Sequence, residues 1–144
     1  MTRLGWLFLM VVGASPAAGQ LRGADSMAVI RTVQRFHAAL EAGDSGAVRG
    51  MLAPGAVVLE RGEIERLAGD KLAGQVRIAR AMNRTSLQMT SRTLGWAAYV
   101  YSTARVEARG RPDLINGTEV ESVVLSRLED TWFIEMVHTS FGSG

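Results

Sequence analysis

Residues 35–60 read RFHAALEAGDSGAVRGMLAPGAVVLE, and the breaks inside this stretch set the order of elements for the chain. Val29, Val33, Phe36 and Leu40 recur at helical spacing, so a helix is predicted from a cap at Asp25 or Ser26 to about Ala42. Gly43 supplies the stop, because glycine enters the left-handed conformation that ends helices at no steric cost. Asp44 then caps a second, shorter helix carrying Val48, Met51 and Leu52, which Pro54-Gly55 closes. Ala56 to Glu60 is apolar until its final carboxylate and reads as a strand, followed by a charged loop from Arg61 to Arg66.

Further along, a third helix is predicted over about 70–82, weakened by Gly74 inside it. The character then changes. Ser86 to Thr93 alternates polar residues with Leu87 and Met89, Gly95 turns the chain, and Trp96 to Ala108 is rich in Tyr, Val and Thr. Gly110-Arg111-Pro112-Asp113 and Asn116-Gly117 are turn signals; Thr118 to Leu128 and Trp132 to Phe141 are strand-like, separated by a turn at Glu129-Asp130. The order is helix, helix, strand, helix, then three or four long antiparallel strands. Helices gathered in front of a meander indicate α+β, with the helices on one face of a curved sheet. No repeat, low-complexity segment or linker interrupts residues 20–144, so one domain is expected there.

Residues 1–19 read differently. Thr2-Arg3 gives a positive start, Leu4 to Val12 is a nine-residue apolar stretch, and Ala17-Ala18-Gly19 places small residues before Gln20. This is the pattern of a secretory signal peptide cleaved after Gly19, which predicts an exported protein, periplasmic or secreted. The apolar run is too short to cross a bilayer core of about 30 Å as a helix, so no stable membrane insertion is expected after cleavage.

Composition narrows the chemistry. Hydrophobic residues make up 47% of the 144 and charged residues 21%, which fits neither disorder nor a polytopic membrane protein. The formal charge of +2 falls to 15 − 14 = +1 once Arg3 leaves with the leader, so nothing draws the domain to nucleic acid. The absence of cysteine excludes disulfides, thiolate zinc sites and a cysteine nucleophile. Two histidines that the pattern does not bring together give no expectation of a metal, and no phosphate-cradling loop or nucleophile elbow points to a cofactor or a serine hydrolase. Arg77, Arg80 and Arg84 suggest a solvated basic stripe on the third helix.

Arg35-Phe36-His37-Ala38-Ala39-Leu40-Glu41-Ala42-Gly43-Asp44 resembles the first-helix signature of the nuclear transport factor 2-like superfamily. Met51-Leu52-Ala53-Pro54-Gly55-Ala56-Val57 resembles its entry into the first strand. Glu121, Val124-Leu125, Arg127, Trp132, Ile134, His138 and Ser140 are similar to the closing strands of its SnoaL-like or DUF4440-type branch. The resemblance spans roughly residues 26–141. It implies a cone of about three N-terminal helices on a curved, mainly antiparallel sheet of four to six strands, and a homodimer through the sheet. It does not imply one function, because the superfamily hosts isomerases, dehydratases, cyclases and non-catalytic binders.

Glu60 is the first candidate base. It ends the first strand, where similar members such as ketosteroid isomerase carry the carboxylate that abstracts a proton, and partial burial would raise its pKa toward working pH. The alternative is a solvated carboxylate paired with Arg61 or Arg66. The isomerase comparison fails elsewhere: Phe36 stands at the position of its tyrosine, and Val124 at that of its protonated aspartate. His138 is the second candidate, on a strand face expected to carry Trp132, Ile134, Met136 and Ser140, either as a proton shuttle or as a satisfied core histidine. Glu121, on a face with Val123 and Leu125, needs a partner if buried, Arg105 or His138 being the candidates. Phe36, Glu121, Trp132 and Met136 are the expected ligand-binding residues, whereas His37 is expected to point about 100° from Phe36 and to be partly exposed.

Three functions stay open: a pocket protein holding a small apolar or amphipathic ligand, a cofactor-free proton-transfer enzyme using Glu60 or His138, and an interaction module using the open sheet face. The enzyme reading requires Glu60 and His138 to converge in one pocket.

Overall fold

The computed structural model describes residues 17–110 and 116–142. In chain order these form α1 (Ala17–Ala42), α2 (Ser45–Met51), β1 (Leu52–Glu60), β2 (Glu63–Arg66), α3 (Gly69–Arg80), β3 (Met82–Leu94), β4 (Ala97–Ala108), β5 (Asn116–Leu128) and β6 (Thr131–Gly142). The expected leader lies almost wholly outside the described residues, as does the turn at 111–115.

The α1 stripe is as the spacing predicts: Val29, Val33 and Phe36 are buried, and Leu40 is half-buried against the core. Its start is not. The helix begins at Ala17, and Asp25 caps nothing; its carboxylate accepts from Arg127 Nη1 at 3.3 Å. The stop at Gly43 is required twice over. Its φ of 77° is left-handed, and a Cβ there would meet Arg80 Cδ at 2.8 Å. Asp44 then caps α2, its Oδ1 accepting from Ala47 N at 2.9 Å.

The strands form an open, mixed sheet in the order β2-β1-β6-β5-β4-β3. All neighbours are antiparallel except β1 and β6, which run parallel. The segment expected to be a charged loop after Glu60 instead folds back as β2, with Arg61 (φ 51°) and Gly62 (φ 82°) making the left-handed turn. The third helix ends at Arg80, so Arg84 belongs to β3, and the expected three-arginine helical stripe does not exist.

Helices α1 and α3 cover one face of the sheet, here the inner face. Val58, Val100, Val123, Leu125, Trp132, Ile134 and Val137 meet Val29, Val33, Phe36, Leu72 and Val76 there in a continuous core. Two bulges interrupt the antiparallel pairing, and the parallel β1–β6 pair shifts register between Leu52 and Val57. Leu87 on β3 and Glu135 on β6 are each an extra residue without a cross-strand partner. The second has a large effect. Trp132 and Ile134 point inward, Glu135 is the extra residue, and the inward phase resumes at Val137 and Thr139. A bulge shifts the alternation by one position and bends the strand. Met136, His138 and Ser140 therefore lie on the outer face, not beside Trp132 and Ile134 as unbroken alternation predicted.

Candidate functional site

Beyond Trp132 and Ile134 the core gives way to a cavity of about 490 Å³ between α1, α3 and the inner face. Phe36, Leu40, Val58, Met82 and Val137 supply apolar wall, and a polar cluster crosses one side of it. That cluster has its origin in strand register. Ser102 on β4 stands opposite Glu121 on β5, and Ala104 opposite both Glu119 and Ser86. The small Ala104 side chain leaves the centre of this group free of bulk.

Arg84, on the neighbouring strand β3, spans the group. Its Nε donates to Glu119 Oε1 at 2.9 Å, Nη2 to Ser102 Oγ at 3.2 Å, and Nη1 to Ser86 Oγ and to His37 Nδ1, both at 3.2 Å. Nη2 is also 3.8 Å from Glu121 Oε1. Guanidinium only donates, so His37 Nδ1 is the acceptor in that contact. The imidazole is then the neutral tautomer with its proton on Nε2, which donates to Glu121 Oε2 at 3.0 Å. Ser102 Oγ completes the set toward Glu121 Oε1 at 3.5 Å. No buried side-chain nitrogen or oxygen among the described residues lacks a partner.

Burial alone would push the Glu121 pKa up. The hydrogen bond from His37, the Arg84 cation and the Ser102 hydroxyl outweigh it and hold the carboxyl below its ordinary 4.5. Glu121 is thus an ionised carboxylate, 5% exposed, whose partners are His37, Ser102 and Arg84 rather than the Arg105 or His138 expected. His37 itself is 9% exposed, against the expectation of partial exposure. Helix α1 touches α2, α3, β3, β4 and β6, so its buried arc is wide enough to take in both Phe36 and His37.

Glu60 also lines the cavity, nearer to solvent. Its Oε2 accepts from Lys71 Nζ at 3.0 Å and its Oε1 from Gln75 Nε2 at 2.9 Å. Lys71 also bridges to Glu65. Partial burial does raise the Glu60 pKa, but the Lys71 and Gln75 hydrogen bonds and the charges of Lys71 and Arg61 bring it below 4.5. The shift is opposite in direction to the one expected of a base raised toward working pH. The partner of Glu60 is Lys71, not Arg61 or Arg66.

The remaining sequence candidates divide. Phe36 and Glu121 line the cavity. Trp132 is buried in the core with the Arg127 guanidinium 5.9 Å above its ring, and is not part of the cavity wall. Met136 and His138 pair with Val57 and Leu59 of β1 and with Val124 and Ser122 of β5, on the outer face. Glu60 and His138 therefore lie on opposite faces of the sheet and do not converge. Val124, matched to the isomerase aspartate, also faces outward. Among the described residues, no group of three or more metal-ligating side chains forms a metal site.

Sequence reasoning passed over Glu119, Lys71 and Gln75, and placed Arg84 on the third helix. Two signals were available. His37 follows Val33 by four residues, which puts it on the apolar face of α1, and Glu119 and Glu121 occupy the phase that Val123 and Leu125 continue.

No family model and no curated protein matches this sequence. Solved structures do. A provisionally named ketosteroid isomerase from Shewanella frigidimarina NCIMB 400 is 26% identical, with a TM-score of 0.70 over 76% of this chain and 92% of that one. A provisionally named dehydratase of the NTF2-like family from Streptomyces avermitilis is 18% identical, with a TM-score of 0.72 over 85% and 99%. The CaMKII hub of S. rosetta is 19% identical, with a TM-score of 0.68 over 91% and 100%.

Proposed function

On the premise that this chain carries the nuclear transport factor 2-like fold, we propose that it is a small-molecule-binding domain that does little or no chemistry on its ligand. One observation carries the reading: the cavity is walled mainly by apolar side chains, and both ring nitrogens of its only histidine are already committed to protein partners. A general base must have a lone pair free to face substrate. His37 Nδ1 is held by Arg84, and Glu60 is a weakened base. What remains is a shaped hollow with fixed polar groups on one side, which is the make-up of a ligand site. The leader pattern supports export to the periplasm or beyond.

Native mass spectrometry of the protein purified gently from cells expressing the whole 144-residue chain tests this. A defined extra mass, lost on denaturation, is the expected result. An empty protein that also takes up no small molecule from an envelope extract would overturn the reading.

A proton-transfer enzyme is the second reading, favoured by the isomerase and dehydratase names of two structural neighbours and by the His37–Glu121 pair inside an apolar cavity. It requires Arg84 to leave His37 when substrate enters. Conversion of a β,γ-unsaturated ketone to its conjugated isomer, followed by ultraviolet absorbance, would establish it.

We also propose a homodimer through the outer face. Tyr99 and Tyr101, with ring centroids 5.0 Å apart, share that face with Val124 and Met136. A sheet covered on one side only leaves such residues needing cover. The mass spectrum that detects the ligand also reads the subunit count.

A further inference from the structure

We propose that the cavity takes an organic cation, a molecule with an apolar body and a protonated amine, and rejects carboxylates. The proposal rests on the small-molecule-binding reading and specifies its ligand class.

The argument is an inventory of donors and acceptors. Arginine has five N–H groups. In Arg84 four of them serve Glu119, Ser102, Ser86 and His37, and the remaining one lies on the side of Glu121, with Nη2 3.8 Å from Oε1. The one N–H of His37 goes to Glu121. The cluster therefore has no strong donor left to offer a ligand, and the other guanidinium of the wall, Arg61, is exposed to solvent at the β1–β2 turn. Its acceptors are not exhausted. Glu119 uses Oε1 for Arg84, and no donor among the described residues reaches its Oε2. Glu41, on the α1 side of the cavity, has no hydrogen-bond or ion-pair partner among the described residues.

Charge points the same way. The cavity is lined by the carboxylates of Glu41, Glu60, Glu119 and Glu121 against the cations Arg61 and Arg84, a balance of 2 − 4 = −2. Counting Lys71, which holds Glu60 from outside the wall, leaves −1. An anionic ligand would meet uncompensated carboxylates in a partly desolvated space, where like charges repel far more strongly than in water. An ammonium group set against Glu119 would both donate hydrogen bonds and offset the excess charge. The rest of the wall, including Phe36, Leu40, Val58 and Val137, asks for an apolar body.

Three probes with one body and different heads test this: 2-cyclohexylethylamine, 2-cyclohexylethanol and 3-cyclohexylpropanoate, titrated into the protein at neutral pH and low salt by ligand-observed NMR. The amine is expected to bind at least tenfold tighter than the alcohol, with the carboxylate weakest. Glu119→Gln should weaken the amine more than the alcohol, so that the amine's advantage falls severalfold. Glu41→Gln, at an exposed helix position, makes the same comparison without touching the Arg84 cluster. Equal binding of the three probes, or preference for the carboxylate, overturns the cation assignment while leaving a binding cavity. Failure of all three to bind, in a protein that still melts cooperatively, counts against the cavity as a ligand site and takes both proposals with it.

Discussion

Arg84 Nη1 lies 3.2 Å from His37 Nδ1, and that contact decides which ring nitrogen of a buried histidine carries its proton. A long-range nitrogen–proton spectrum at neutral pH is expected to show His37 protonated on Nε2 only. A proton on Nδ1 would mean that the guanidinium does not occupy this position in solution, and the closed donor inventory of the Arg84 cluster would fall with it.

Arg84→Met should be costly. The side chain is 11% exposed and faces two carboxylates, so its loss leaves Glu119 and Glu121 short of a cation. Removing one partner from a buried ion pair costs about 3–5 kcal/mol, and partial solvent access here favours the lower end. Urea unfolding measures it. Arg84→Lys should recover only part, because an ammonium cannot reproduce the four-partner fork.

Acid should weaken the fold through Glu121. Its folded pKa is below the unfolded 4.5, so the folded protein holds the ionised form more tightly than the unfolded chain does. That contribution is complete above the unfolded value and is lost as pH falls through the lower folded value. The stability gap between the protein and Glu121→Gln is therefore expected to be largest at neutral pH and to narrow below about pH 4.5. A gap that widens on acidification would show that the shift has the opposite sign.

Gly43→Ala is expected to destabilise by about 1 kcal/mol or more, because alanine at positive φ is strained and its Cβ would also crowd Arg80 at 2.8 Å. Thermal melts suffice. An unchanged melting temperature would mean that both the turn and the Arg80 side chain relax freely.

His138→Ala should leave binding of a cavity ligand unaltered within twofold, since His138 pairs with Leu59 and Ser122 on the outer face. Any effect is expected in subunit association. The matching comparison is His37→Ala, which should lose ligand affinity because it removes the group that orders Glu121.

Much of the fold was legible in local chemistry. The Gly43-Asp44 break, the Val29/Val33/Phe36 stripe and the turn glycines carry their conformations in their own covalent structure. What was not legible depends on partners far away in the chain. Asp25 looked like a cap but is engaged by Arg127, 102 positions later. Arg84 looked like helix surface because three arginines fell at helical spacing, whereas its place is set by pairing with β4. His138 was assigned to the wrong face because period-two reasoning assumes an unbroken ladder, and an inserted residue leaves no mark in composition. Of the cavity, Phe36, Glu60 and Glu121 could be read from the sequence; the cluster that joins Glu121 to His37 and Arg84 required the register of three strands.

The inserted Glu135 also bears on why there is a hollow here at all. It falls between the half of β6 that is packed solid by Trp132 and Ile134 and the half, Val137 to Phe141, that faces empty space. A strand bent at that point carries its far half away from a straight helix. The void is then a product of the backbone's course, with the side chains lining it after the fact. Trimming or enlarging single wall residues should alter its outline while leaving it in place. Deleting Glu135 would keep every later side chain on its present face, restore a regular ladder, and let the sheet close toward α1. Substitutions can therefore redraw the lining of the hollow one residue at a time, whereas loss of this one residue would close the hollow itself.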